Sequence, residues 1–272
     1  MSSSEYTFKV APNCTKCSAC SHVCPSGIIV MTADGPTLPN AKICIRCGHC
    51  VAVCPVDALD FSLTPLANQK RIDGALTIDS EKAEQFLRSR RSIRNYRKKE
   101  VANDDLTRLL EVAHYAPSGG NTQSVSYVVV NKREILDKLS ALTLDWIAEM
   151  SKVNASMRSY SNLVSISRES GADVIFRGAP ALVVAVGPRK MPIVRDNARF
   201  SLAYAELFAP TLGLGSCWAG FFEMCSSAYH KEVYDLLGLT EEQMVVGALM
   251  VGYPKYYFKR LVGRNSLDVK FI

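Results

Sequence analysis

The rhythm of apolar and polar residues changes near residue 80. Beyond it, apolar side chains recur at three- and four-residue spacing near 80–90, 103–115, 133–150, 158–170, 193–213 and 227–237. That period predicts helices. Three apolar runs, 125–131 (VSYVVVN), 180–187 (PALVVAVG) and 243–252 (QMVVGALMVG), predict buried strands. Long helices outnumber these widely separated strands, which suggests an α+β domain around a central sheet. Residues 66–78, LANQKRIDGALTI, are mixed and polar and read as a connector. The expected organisation is a small domain over 1–65, a connector over 66–79 and a larger domain over 80–272.

In the first 65 residues cysteines set the pattern. Cys14, Cys17, Cys20 and Cys24 precede Pro25; Cys44, Cys47, Cys50 and Cys54 precede Pro55. Both read C-x-x-C-x-x-C-x-x-x-C-P, and the second copy begins thirty residues after the first. Three thiolates in a tight loop can hold three irons of a cubane, and the fourth, before a proline that redirects the chain, can reach the other cubane. Two 4Fe-4S clusters follow as expectations. Cys14, Cys17, Cys20 and Cys54 would hold one, and Cys44, Cys47, Cys50 and Cys24 the other. The competing reading, a pair of zinc sites, normally uses paired C-x-x-C knuckles well separated in sequence. Ile28, Ile29, Val30, Ile43, Val51, Val53 and Leu59 are expected to bury the clusters and tune them. His22 and His49 read as cluster neighbours, and His114 and His230 as structural residues on helices. Cys217 and Cys225 read as ordinary buried thiols.

No apolar run nears the roughly eighteen residues that suggest a membrane span; the longest, at 179–187, reads as a buried strand. The start, MSSSEYTFKVAPNC, has no apolar signal core. Eight cysteines in two short regular runs suit cluster ligation in a reducing compartment, so a cytoplasmic location is expected.

Several common motifs are absent. There is no G-x-x-x-x-G-K-[ST] and no H-E-x-x-H, and Gly213 and Gly215 lack the third glycine and the preceding strand of a dinucleotide fingerprint. A redox cofactor in the larger domain must therefore be bound another way. Four elements offer one. Residues 88–99 hold seven basic side chains, and within them RRSIRNY sets Arg90, Arg91, Ser92 and Arg94 in about one turn. Arginine forks suit phosphate, and Ser92 adds a neutral donor. Next comes APSGGNTQS, 116–124, where Pro117, Ser118 and Gly119 can turn the chain sharply and approach a flat ligand. Asn121 and Gln123 there each carry an amide donor and acceptor. The third is GLGSCWAG, 213–220, which reads equally as a glycine cap before a core tryptophan. The fourth is GYPKYYFKRLVGR, 252–264, whose basic residues could return to the same phosphate.

Together and in this order, these elements resemble the FMN-dependent nitroreductase family over about residues 80–264, and the whole chain resembles its ferredoxin-fused branch. The resemblance implies a nitroreductase-like α/β sandwich with a central mixed sheet, binding FMN non-covalently at a homodimer interface. It implies that Arg90, Arg91, Ser92 and Arg94 contact the FMN phosphate and ribityl chain. Pro117, Ser118, Gly119, Asn121 and Gln123 would lie at the ribityl or ring region, and Ser216, Cys217 and Trp218 beside the isoalloxazine. Arg264 and Arg260 would complete the phosphate site. Ser124 departs from the family, which usually has proline after this glutamine; a looser loop is the expectation.

The formal charge of +6 now has a source other than nucleic acid. Residues 1–65 balance Lys9, Lys16, Lys42 and Arg46 against Glu5, Asp34, Asp57 and Asp60, so the excess lies beyond them. Two clusters at roughly −2 each and a flavin phosphate of about −2 bring the loaded protein near neutral. Neither nucleic acid nor membrane is expected as a partner. Clusters move single electrons, and a flavin takes one or two and can pass a hydride. Three functions are open: an enzyme in which electrons pass through the clusters to FMN and on to a nitroaromatic, quinone or enone; an NAD(P)H-oxidising flavoprotein that sends electrons out through the clusters; or an electron-transfer module for a protein partner. Reduced ferredoxin or NAD(P)H is the expected donor. No catalytic acid or base stands out.

Overall fold

A computed structural model describes residues 6–228 and 231–272. The chain divides into two compact units, Met1–Thr77 with Gly120–Thr122, and Ile78–Gly119 with Gln123–Ile272.

The first unit is built on two antiparallel ribbons. Strand β1 (Phe8–Val10) pairs with β4 (Leu59–Phe61), and β2 (Val30–Thr32) with β3 (Gly35–Thr37). Each cysteine run turns through left-handed backbone, at Lys16 (φ 56°) and Ser18 (φ 65°) in one copy and Arg46 (φ 55°) and Gly48 (φ 73°) in the other. A single helical turn follows each: α1 (Ala19–His22), which carries Cys20, and α2 (His49–Ala52), which carries Cys50. Left-handed φ is costly outside glycine, and three of these four residues are not glycine, so the thiol loops hold an unusual backbone in both repeats. The core is small: Ile29, Val51, Leu59 and Phe61, with the rings of Tyr6 and Phe8 edge-on to Phe61. Val51 and Leu59 are buried as expected, while Val30, Ile43 and Val53 are exposed. A core of this size needs help from a staple such as a metal site. Residues 66–78 hold only two short 3-10 turns, Leu66–Asn68 and Gly74–Leu76.

The second unit centres on a four-stranded sheet of order β5-β6-β8-β7: β5 (Ser126–Val130), β6 (Ala181–Pro188), β8 (Gln243–Gly252) and β7 (Gly215–Trp218). These pairings are all antiparallel; the parallel component is one bridge, Ser92 with Ser216, at the β7 edge. Alternation along β6 sends Leu182, Val184 and Val186 to one core and Ala181, Val183 and Ala185 to the other. A bulge between Ala185 and Val186 breaks the register with β8. Gly247 sits there, where a Cβ would lie 2.6 Å from Leu202 Cδ1 and 3.1 Å from Trp218 Cη2.

One face is covered by α5 (Arg133–Val153), α8 (Gly220–Ser227) and α9 (Lys231–Leu237), the other by α4 (Asn103–His114) and α7 (Val194–Phe208). Buried Leu136, Leu139, Thr143 and Ile147 make the inner stripe of α5. Helix α3 (Ser80–Ser89) opens on Asp79, whose carboxylate accepts from the Lys82 N–H at 2.9 Å.

Three expected helices differ. The one at 193–213 ends at Phe208 and tightens into a 3-10 turn, Ala209–Leu212, because Pro210 cannot continue it; Gly213 (φ 71°) caps the turn. The stretch 158–170 begins as a 3-10 turn, Ala155–Tyr160, before α6 (Ser161–Ser170). The helix expected at 227–237 starts at Lys231, with α8 ahead of it. His230 lies outside the described residues. Strand β7 was not expected: four residues opening on glycine carry too little alternation to announce it.

Candidate cofactor sites

In the first unit, Cys14, Cys17, Cys20 and Cys54 line one cavity, and Cys24, Cys44, Cys47 and Cys50 line another. All eight are free thiols. Among the described residues no three His, Cys, Asp or Glu side chains converge to hold a single metal ion; the thiols surround volumes instead of a point. Backbone N–H groups already face two sulfurs, Ala58 N to Cys54 Sγ at 3.1 Å and Arg46 N to Cys44 Sγ at 3.4 Å. Burial pushes the Cys50 thiol up to about 11. Asn121 belongs to this unit, where its Nδ2 donates to the carbonyls of Ile45 and Arg46, both at 2.9 Å.

In the second unit, the basic turn adds itself to the β7 edge. Ile93 N donates to Ser216 O at 2.8 Å, and Gly215 lets it come close: a Cβ there would lie 2.4 Å from Ile93 Cγ1. Tyr96 bridges to Pro254, and Arg97 N donates to Tyr253 O at 2.9 Å. The RRSIRNY turn, the start of β7 and the segment after β8 are thereby laid side by side. Between them lies a cavity of ≈ 230 Å³ walled by Arg91, Glu206, Leu214, Ser216, Tyr256 and Phe258, among others.

Of the expected site residues, Arg91 and Ser216 line this cavity, and Arg90, Ser92 and Cys217 lie beside them in sequence. Arg91 reaches it with its Nε fully buried and without a hydrogen-bond partner, its guanidinium 5.4 Å from the Phe258 ring centre. Arg90 pairs with Glu206 at 3.5 Å, and Ser216 Oγ donates to the same carboxylate at 3.4 Å. The Cys217 thiol donates to Trp218 O at 3.7 Å. Burial raises Cys217, and Arg94 and Ser92 pull it partly back. Arg94 itself is exposed. Arg260 and Arg264 are exposed on the tail and are not part of this wall. Trp218 behaves as a core residue: its ring packs over Gly247 and its Nε1–H donates to Glu223 at 2.6 Å.

The 116–124 loop is anchored at both ends. Ser118 Oγ accepts from the Gln123 N–H at 3.0 Å. Asn197, buried on α7, accepts from Gly119 N at 2.9 Å through Oδ1 and donates to Ser124 Oγ at 3.1 Å through Nδ2. The Ser124 hydroxyl thus makes a tie that proline lacks. Pro117, Ser118, Gln123, Asn197 and Ser201 line a small cleft here, and the Tyr127 hydroxyl hydrogen-bonds Ser201. Asn197 and Glu206 were not singled out in the sequence. Their signal is a polar residue inside the buried stripe of an otherwise amphipathic helix.

A profile of the nitroreductase family matches residues 87–253, more than half of the chain. The chain belongs to the nitroreductase family. A second profile, a 4Fe-4S dicluster domain, matches residues 13–59, so this family member carries an N-terminal ferredoxin domain and is an oxidoreductase. The chain is 27% identical over 180 residues to a putative NADH dehydrogenase/NAD(P)H nitroreductase of Archaeoglobus fulgidus, covering 64% of this chain and 87% of that one. It is 26% identical over 170 residues to an FMN reductase [NAD(P)H] of Bacillus subtilis, covering 62% and 64%. Its fold matches a crystal structure of a nitroreductase with bound FMN from Bacteroides fragilis, at TM-score 0.57 and 21% identity, over 71% of this chain and all of the other. No helix among the described residues is long and apolar enough to cross a membrane.

Proposed function

We propose that this protein is an iron–sulfur flavoprotein in which single electrons pass through two 4Fe-4S clusters to a non-covalently bound FMN, and from it to a small organic acceptor of nitroaromatic, quinone or enone type. The observation that carries the reading is the sorting of eight cysteines, four and four, around two cavities in a chain whose remainder is a nitroreductase domain. Cys14, Cys17, Cys20 and Cys54 would hold one cluster and Cys24, Cys44, Cys47 and Cys50 the other.

The flavin would be held by the β7 edge. A buried N–H without an acceptor costs about 1–3 kcal/mol, and the orphan Nε of Arg91 beside an open cavity suits an anionic oxygen. Arg90, Ser92 and Arg94 share that turn, and Ser216 and Cys217 run along the adjoining strand. The tail arginines Arg260 and Arg264 would complete the phosphate site. Exposed Tyr257, Phe258, Leu267 and Phe271 on that tail support a second copy covering them, as in a homodimer. Bound FMN supplies the exchange between one- and two-electron steps. The protein's part is to fix the phosphate end, to present the ring along β7 and to keep the apolar wall dry.

The names of the relatives favour a second reading, in which NAD(P)H delivers hydride and the clusters carry electrons out. Visible spectra recorded during anaerobic mixing separate the two. Reduced ferredoxin bleaching the clusters and then the flavin supports inward flow. NADH or NADPH bleaching the flavin first supports outward flow. A protein with no flavin band, and none restored by added FMN, would sink the flavin assignment.

A further inference from the structure

Thr64 stands just beyond β4, in a turn pinned on both sides. Its N–H donates to Phe61 O at 2.8 Å, and its carbonyl accepts from Gln69 Nε2 at 3.1 Å. Gly48 leaves room for this arrangement: a Cβ there would come 3.3 Å from Gln69 Nε2 and 3.6 Å from Thr64 Cβ. The Thr64 hydroxyl oxygen is shielded from solvent and has no hydrogen-bond partner. Buried hydroxyls are normally satisfied, so an orphan one needs an explanation.

The explanation lies in the wall it belongs to. Thr64 lines the cavity of Cys24, Cys44, Cys47 and Cys50, together with apolar side chains such as Ile29 and Phe61. One other hydroxyl lines that wall, Ser26, and it already donates to Ile43 O at 3.1 Å. The second cavity is different. Its hydroxyls are Thr15 and Ser18. Thirty residues back along the repeat from Thr64 stands Asp34, which is not part of that wall. The two cavities are thus related by the cysteine repeat but not by this hydroxyl.

We propose that Thr64 donates its hydroxyl hydrogen to a sulfur of the cluster held by Cys24, Cys44, Cys47 and Cys50, and so raises the reduction potential of that cluster alone. Reduction adds negative charge to the iron–sulfur core, and an O–H dipole aimed at sulfur stabilises the reduced form more than the oxidised one. Thr64 is a positioning and tuning residue, not a ligand. The inference rests on the two-cluster reading above.

The test uses the full-length protein loaded anaerobically, with Thr64→Val and Thr64→Ser variants. Iron and sulfide per chain are assayed first, and each cluster is then followed by EPR during a redox titration. Thr64→Val is expected to keep both clusters and to shift one midpoint downward. The reduced-to-oxidised ratio of that cluster at a fixed potential should fall about tenfold, which is about 59 mV for a one-electron couple. Thr64→Ser should hold the wild-type value. Midpoints that stay unchanged in a fully loaded Thr64→Val protein, or that both move together, overturn the role of Thr64 and leave the clusters standing. A wild-type protein that cannot be loaded with two clusters overturns the cluster reading and this inference with it.

Discussion

Asn197 Oδ1 accepts the backbone N–H of Gly119 at 2.9 Å, and through that bond a buried helix residue fixes the glycine loop ahead of β5. The Nδ2 of the same side chain donates to Ser124 Oγ at the loop's other end. Replacing Asn197 by Ala leaves the Gly119 N–H without this acceptor, at a cost of about 1–3 kcal/mol. The expected outcome is a lower unfolding temperature and weaker FMN binding, read by calorimetry and flavin titration. Ser124→Pro, which installs the residue usual in the family, should also destabilise this protein. Proline forces the residue before it towards extended backbone, and Gln123 is at φ 47°. A Ser124→Pro variant as stable as the parent would show that the loop relaxes freely.

Glu206 gives a pH dependence with a definite sign. Burial raises its carboxyl above the usual 4.5, while Arg90 and Ser216 pull it back only in part. The ionised form is therefore disfavoured in the fold. The stability this group contributes is fully present below about pH 4.5 and is lost as pH rises through the raised value. Glu206→Gln removes that loss, so the gap between variant and parent unfolding temperatures should shift in the variant's favour as pH rises from 4.5. Cys217 and Tyr96, the other titrating groups that feel Glu206, are both raised from ordinary values of 9.0 and 10.0 and stay neutral in this window. Parallel curves for the two proteins would mean that Glu206 ionises in the fold as it does in the unfolded chain.

Legibility in the sequence followed the range of each interaction. The cysteine runs, β6 and β8 and the long amphipathic helices are local patterns, and periodicity or spacing alone reveals them. The arginine turn was visible as chemistry, but not its place: Ser92 and Ile93 find their partners on β7, a strand too short to see. Asn197 and Glu206 matter because of contacts with Gly119 and Arg90, far along the chain. No window of neighbouring residues carries that information. Trp218 was legible locally. Its glycine-flanked segment already allowed a core tryptophan, and the indole packs over Gly247 and donates to Glu223.

The division of the cysteines is open to a direct count. If the fourth cysteine of each run serves the opposite cavity, Cys24→Ser should disturb the cluster of Cys44, Cys47 and Cys50 and spare that of Cys14, Cys17 and Cys20. Cys54→Ser should do the reverse. The EPR signals of the two clusters, assigned by these variants together with Cys17→Ser and Cys47→Ser, check the pairing: Cys24→Ser must match Cys47→Ser, not Cys17→Ser. Matching within each run would require the reverse assignment.

Arg91 separates stability from binding. In the ligand-free fold its Nε is buried without an acceptor, a cost of about 1–3 kcal/mol that its cation–π contact with Phe258 offsets by about 0.5–2 kcal/mol. Arg91→Met keeps much of the aliphatic stem and removes the orphan donor. The ligand-free variant should therefore unfold at or above the parent's temperature, while its FMN affinity falls by about tenfold or more, 1.4 kcal/mol for each factor of ten. Riboflavin, which lacks the phosphate, should bind parent and variant alike. That contrast assigns the loss to the phosphate end of the flavin. An Arg91→Met protein that binds FMN as tightly as the parent would place the phosphate elsewhere, with the exposed Arg94 and the tail arginines Arg260 and Arg264 as the remaining cationic candidates.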